Sequence, residues 1–410
     1  MADRRRRLRS VAIVLLAVLF AVVPAPPCML AGEYVEAIQA EAEIPEDQLL
    51  DVGIHLFGPG LPEEDESALE EKGIYPDVRK SEARWIPFHL KDTLERTANW
   101  GAVRVVPKNA GDVDILVSGE ILESTGLELA VNVHIEDVRG KVWRDKRYKG
   151  EADPRAYAED EGAREIADPF QVIYNRIAND MVEFYGKLDP EDIREIREVS
   201  RLKFAAGLVP SAFGDYLATN RKGRVKIEKL PARDDPMVTR VAKIRERDYM
   251  FVDTLNEYYA DFQLRMVGPY ESWRQWSYEE QVNLRQIRRA SRMRMIFGAL
   301  MIVGGAYAGG DLGDAAVIGG ALVTTAAIKK RQEAKIHVEA LKELAASFEA
   351  EIAPVLVEVE GQTLQLEGSA ETQFSEWRRM LARIFATEIG IPADPDASEP
   401  VAAAAGASNP

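Results

Sequence analysis

The side chains best suited to chemistry in this chain of 410 residues are four histidines and one cysteine. None of the histidines is in a paired metal-binding spacing such as H-E-x-x-H. The sequence also lacks a G-x-S-x-G nucleophile elbow and a phosphate-binding P-loop. It therefore predicts a non-enzymatic protein with no catalytic residues, no metal and no cofactor. The histidines, which we interpret as structural, are His55, His89, His134 and His337.

The cysteine, Cys28, lies at the end of a segment that is typical of export. Arginines at positions 4–7 precede an apolar run over 11–23, and small residues follow at Ala31 and Gly32. This order predicts a signal peptide over residues 1–31 and a periplasmic location. The apolar run is shorter than the roughly 20 residues that span a bilayer, although retention as an anchor is an alternative. Cys28 is then either removed with the signal or lipidated.

The charge balance excludes one class of partner. The formal net charge is −16, whereas proteins that bind nucleic acid cluster Lys and Arg against the phosphates. We therefore predict no nucleic-acid partner.

Small residues at a spacing of four mark the most informative segment, which we predict to be a hydrophobic helical hairpin over residues 295–328. Side chains this small let two helix backbones approach closely. A polar tip over 309–314 separates two apolar runs of about 14 residues. Each run is short for a hydrocarbon core of about 30 Å. The small residues are Gly305, Gly309, Gly313, Ala316, Gly320 and Thr324.

Basic and aromatic residues flank this hairpin. Basic residues favour anionic headgroups, and Trp and Tyr favour the membrane–water boundary. The predicted hairpin therefore either contacts a membrane or packs as a soluble hairpin or an oligomer seam. The aromatics are either interfacial or part of a small core under a loop. The basic flank is Arg285, Arg288, Arg289, Arg292, Arg294, Lys329 and Lys330, and the aromatics are Tyr270, Trp273 and Trp276.

The elements before this region predict a mixed sheet. After a linker over residues 32–48, strands are expected at 52–57 and 103–106, with a helix at 81–97 between them, whose first turn Pro87 would mark. A three-stranded meander follows at 115–122, 127–135 and 141–148. Its middle strand alternates apolar and polar residues, so one face must be covered. The expected covers are helix 81–97 and a helix at 170–185.

The order strand–helix–strand–meander–helix over residues 49–186 resembles the N-terminal domain of the Tol–Pal protein TolB. The stretches that carry the resemblance are 90–94, 100–103, 114–120, 133–137 and 177–180. It implies an α+β, TolB-N-like domain over residues 49–187. After Gly186 there are no repeated four-strand blades, so we expect no propeller.

The remainder reads as helical. Asp189-Pro190 is a cap followed by Pro at the first helical position. A second helix begins near Pro236, and Ser277 with Glu280 forms a capping box that would open a third. The predicted domains are a helical region over 188–294, the hairpin, a helix–β-hairpin–helix unit over 329–390, and a disordered tail over 391–410.

These patterns favour a non-enzymatic component of the cell envelope. It would be a membrane-associated or oligomeric scaffold that docks an envelope protein or itself. The alternatives are a soluble periplasmic binding module whose hairpin is core, and an envelope hydrolase.

Overall fold

The computed structural model describes residues 35–157, 168–232, 234–305, 336–343, 355–359, 362–366 and 369–390. The fold is mixed α+β, as predicted: a five-stranded sheet with helices is followed by a long helical region. The predicted signal peptide, the predicted tail and positions 306–328 of the predicted hairpin lie outside the described residues.

The sheet domain follows the predicted order of elements, with one additional short helix between the first strand and the predicted helix. Its bounds are β1 Val52–His55, α1 Glu66–Glu71, α2 Pro76–Arg96, β2 Val103–Val106, β3 Ile115–Ser124, β4 Glu128–Asp137, β5 Val142–Glu151 and α3 Gln171–Tyr185.

The later elements are mostly helical. Their bounds are α4 Pro190–Leu208, α5 Pro210–Phe213, β6 Leu217–Thr219, β7 Val225–Ile227, α6 Pro236–Gly305, α7 336–343, β8 Val355–Val359, β9 Gln362–Leu366 and α8 Ala370–Ile389. The sequence predicted the β8–β9 hairpin and α8 but missed the short β6–β7 hairpin. Asp189 caps α4 as predicted, because its side chain accepts hydrogen bonds from two backbone N–H groups of the first turn.

The strand order in the sheet is β2-β1-β3-β4-β5. β1 is parallel to both of its neighbours, and the meander β3–β4–β5 is antiparallel. The predicted alternation along β4 is confirmed, since Leu129, Val131, Val133 and Ile135 are all buried. α2 and α3 cover the buried face of the sheet, which places the first core between these two layers.

Pro87 lies inside α2, so the expectation that it marks the first turn is wrong. The helix begins at Pro76, where proline is well tolerated. An internal proline leaves the carbonyl four residues earlier without its helical N–H. That carbonyl belongs to Ala83, and it accepts the backbone N–H of Phe57 at 3.0 Å. The segment after β1 therefore satisfies the group that Pro87 leaves open.

The described part of the predicted linker is attached to the domain. Asn175 and Asn179 of α3 donate side-chain N–H groups to the carbonyls of Val35 and Glu36, at 2.7 and 2.8 Å. Asn99 donates to the carbonyl of Ile38 at 2.8 Å. Side-chain amides hold the chain before β1 by its backbone, so the domain begins earlier than residue 49.

Candidate functional site: the joint between the sheet domain and the long helix

α6 is one continuous helix from Pro236 to Gly305. The predicted capping box at Ser277 is therefore wrong, and no new helix begins there. The hydroxyl of Ser277 instead accepts a hydrogen bond from the backbone N–H of Gly126, in the turn between β3 and β4, at 3.1 Å. The side chain of Ser277, which the sequence pattern assigned to a helix cap, instead binds the turn between β3 and β4.

The turn at Gly126 lies against the backbone of α6. A methyl group in place of its hydrogen would lie 2.9 Å from Cα of Tyr278, and closer still to the carbonyl oxygen of Arg274. Tyr157 closes the turn by donating its hydroxyl to the carbonyl of Gly126 at 2.8 Å, and its ring stacks on Tyr278 with centroids 4.5 Å apart. Only glycine allows this approach of the two backbones.

A buried carboxyl group forms the second contact of the joint. Glu82 of α2 is fully buried and accepts hydrogen bonds from Ser124 at 2.6 Å and from Tyr270 of α6 at 2.8 Å. Burial raises the pKa of Glu82, and nearby Arg79, whose Nε lies 3.9 Å from the carboxylate, opposes that rise. The carboxylate of Glu82 thus joins the sheet, through Ser124, to α6, through the hydroxyl of Tyr270.

An ion pair forms the third contact. Arg274 of α6 donates to the carboxylate of Asp168 at 2.7 Å, and His89 of α2 lies 3.2 Å from the same oxygen. Burial alone would raise the pKa of Asp168, but the charges of Arg274 and His89 outweigh burial and hold it well below its usual range. The contact joins three segments that are far apart in sequence.

The predicted interfacial aromatics belong to this joint. Tyr270 and Trp273 are 3% and 2% exposed, and their rings stack with centroids 6.0 Å apart, so the interfacial interpretation is wrong for these two. Both side chains belong to the main hydrophobic core and not to a small core under a loop, and the ring of Tyr270 lies 5.0 Å from that of Trp85 of α2. Trp276 is partly buried and stacks on His337 of α7. α7 therefore lies beside the middle of α6.

Two residues of the predicted basic flank have different surroundings in the structure. Arg285 contacts Glu128 at the start of β4 and Glu151 at the end of β5, so it holds α6 to the sheet. Arg289 is exposed. The same helix also contains Arg288, Arg292, Arg294 and Gly305. The remaining predicted residues lie outside the described part of the chain: Gly309, Gly313, Ala316, Gly320, Thr324, Lys329 and Lys330.

A second polar cluster connects α8 to α6 and to the loop before β3. Arg378 donates to both Asp248 and Asp112, with its Nη2 atom 3.0 Å from the carboxylate of Asp112. Burial opposes the ionised form of Asp112, but Arg378 and Arg245 hold its pKa below the usual range. The adjoining cavity has room for about one water molecule, roughly 10 Å³. This cluster is therefore a structural ion pair with space for a bridging water.

Neither contact set could be found from local patterns. The residues near Gly126 and Arg274 in the sequence do not identify their partners, which are more than 100 positions away.

Within the described residues, no helix has both the length and the apolar character needed to cross a membrane. No group of three or more His, Cys, Asp or Glu side chains in that same part of the chain could hold a metal ion. Comparison of the chain with family models, curated proteins and solved structures gives no match.

Proposed function

We propose that this chain is a non-enzymatic scaffold of the cell envelope, in which the sheet domain holds α6 in a fixed orientation and α6 carries the small-residue segment to a membrane or to other copies. The observation that carries the proposal is the continuity of α6. The helix is fixed to the sheet domain by buried contacts as far as Ser277 and continues to Gly305.

The dimensions of α6 support this role. From Trp276 to Gly305 the helix advances about 44 Å, at 1.5 Å per residue. α7 is back beside Trp276, as the stacking of His337 shows. Gly305 and the start of α7 therefore lie about this far apart along α6.

The signal-like N-terminus and the arginines near the end of α6 support a location at the envelope surface. Clustered Arg side chains favour anionic headgroups. The cavity beside Arg378 has room for only about one water molecule, so it gives no support to a small-molecule binding role.

Fractionation of the mature protein tests the proposal. We expect it to float with phosphatidylglycerol vesicles, or to sediment without lipid as an oligomer larger than a dimer, and we expect deletion of residues 295–328 to abolish the flotation or the assembly beyond a dimer. Deletion of residues 391–410 is the control and should change neither readout. A protein that does not float and is no larger than a dimer, with no effect of the 295–328 deletion, would overturn the proposal.

A further inference from the structure

The two edges of the five-stranded sheet differ in how their backbone groups are satisfied. At the β2 edge, Asn256 of α6 accepts the N–H of Val105 and donates to its carbonyl, both at 2.9 Å. This bidentate contact closes the edge to another strand. At the β5 edge, the outward backbone groups of Asp145 and Arg147 have no hydrogen-bond partner among the residues that the structure describes. One edge is sealed, and the other is available.

Two contacts establish which residues of β5 point outward. The N–H of Ala152 bonds to Leu127, so even-numbered positions face β4. The carbonyl of Lys149 accepts a hydrogen bond from Arg176 of α3, on the opposite side of the strand. Since direction alternates along a strand, Asp145 and Arg147 also present their N–H and carbonyl groups outward.

The side chains at these two positions have opposite charges and are both accessible. Those of Asp145 and Arg147 are 60% and 56% exposed. They lie on the same face of the sheet, opposite His134 and Asn132 respectively. An antiparallel pairing of β5 with β5 of a second copy, centred on Lys146, sets each Asp145 opposite an Arg147. Opposite charges across strands stabilise pairing, and the arrangement has the two-fold symmetry of a closed dimer.

We propose that β5 is a self-association edge, where two copies join their sheets through antiparallel β5 strands with the two-fold axis at Lys146. This goes beyond the proposed function because it uses a surface other than residues 295–328. The two Lys146 side chains meet on the other face, where each is compensated by Asp180 of α3 at 2.9 Å. Arg144 is likewise paired with Glu183 on α3 at 3.1 Å.

A charge swap in the full mature chain tests the pairing, with the dissociation constant of the dimer measured by sedimentation velocity. Asp145→Arg and Arg147→Asp should each raise that constant at least about tenfold, because each sets two like-charge pairs across the axis. The double variant, Asp145→Arg with Arg147→Asp, restores opposite charges across the axis. Its dissociation constant should lie within about threefold of the wild-type value. Glu257→Arg is the control, because it makes the same charge change as Asp145→Arg at an exposed position of α6. It should leave the dissociation constant unchanged.

A disulfide tests the register. In the background Cys28→Ser, Lys146→Cys should form a covalent dimer under mild oxidation, because directly opposed residues lie about 4.5–5.5 Å apart between Cα atoms. Lys149→Cys, away from the axis, should not. The inference fails if the wild-type chain is still monomeric at about 100 times the protein concentration used to compare the charge variants. It also fails if the single swaps leave association unchanged, or if Lys146→Cys cross-links no faster than Lys149→Cys. These variants leave residues 295–328 intact, so failure here is distinguishable from failure of the proposed function.

Discussion

Replacing Gly126 by alanine tests whether the turn between β3 and β4 positions α6. The added methyl would lie 2.9 Å from Cα of Tyr278, whereas carbon atoms pack at about 3.5–4.0 Å. Both sides of the contact are backbone, so neither can relax by rotating a side chain. Overpacking of this kind costs about 1–3 kcal/mol, and loss of the bonds to Ser277 and Tyr157 adds about 1 kcal/mol each. We therefore expect Gly126→Ala to lower the free energy of unfolding by about 3–5 kcal/mol.

Urea unfolding of the protein measures this loss, and hydrogen exchange over residues 270–285 locates it. Gly111→Ala is the matched control, since a methyl there meets nothing within 4 Å and should change stability by less than about 0.5 kcal/mol. Gly268→Ala is equally open but lies within α6, so it should stabilise by about 0.5–1 kcal/mol. A wild-type midpoint for Gly126→Ala, with unchanged exchange in α6, would refute the tight contact.

Three further substitutions probe other contacts. Arg274→Met leaves Asp168 charged and buried, so we expect a loss of about 3–5 kcal/mol at pH 7. Because Arg274 lowers the pKa of Asp168, the variant should protonate Asp168 at a higher pH than wild type does, so that loss should shrink as the pH is lowered in urea titrations. Burial raises the pKa of Glu82, so stability is lost as the pH rises above the ordinary value near 4.5 and the buried carboxyl group ionises. Glu82→Gln should therefore gain stability relative to wild type as the pH rises above about 5, and a difference that stays constant with pH contradicts the assignment. Asn256→Leu leaves both backbone groups of Val105 unpaired and should cost about 2–4 kcal/mol in thermal unfolding; a change under about 0.5 kcal/mol would show that the β2 edge is satisfied without it.

Local chemistry was sufficient to predict much of the fold. The alternation along β4 identified its buried face, because a strand with one apolar side must be covered. Asp189 and Pro190 identified the start of α4, since a cap acts within one turn of its helix. Both inferences depend on groups that are neighbours in sequence.

The misassigned positions have partners distant in sequence. Pro87 indicated a helix start, but Phe57 satisfies the carbonyl that it leaves open. Ser277 matched a capping box, but its hydroxyl binds a turn 151 residues away. The candidate site was beyond prediction for the same reason, since Arg274 and Asp168 are 106 residues apart. Periodicity reports which face of an element is buried and does not report what lies against it.

Because α6 is long, a small change of its angle at the contact with the turn at Gly126 becomes a large displacement at its C-terminal end. Gly305 lies about 42 Å along the helix from Ser277, so a tilt of 5° at that contact displaces Gly305 by roughly 4 Å. A loosened joint that still folds would therefore misplace whatever the far end carries. Such variants should lose function well before they lose stability.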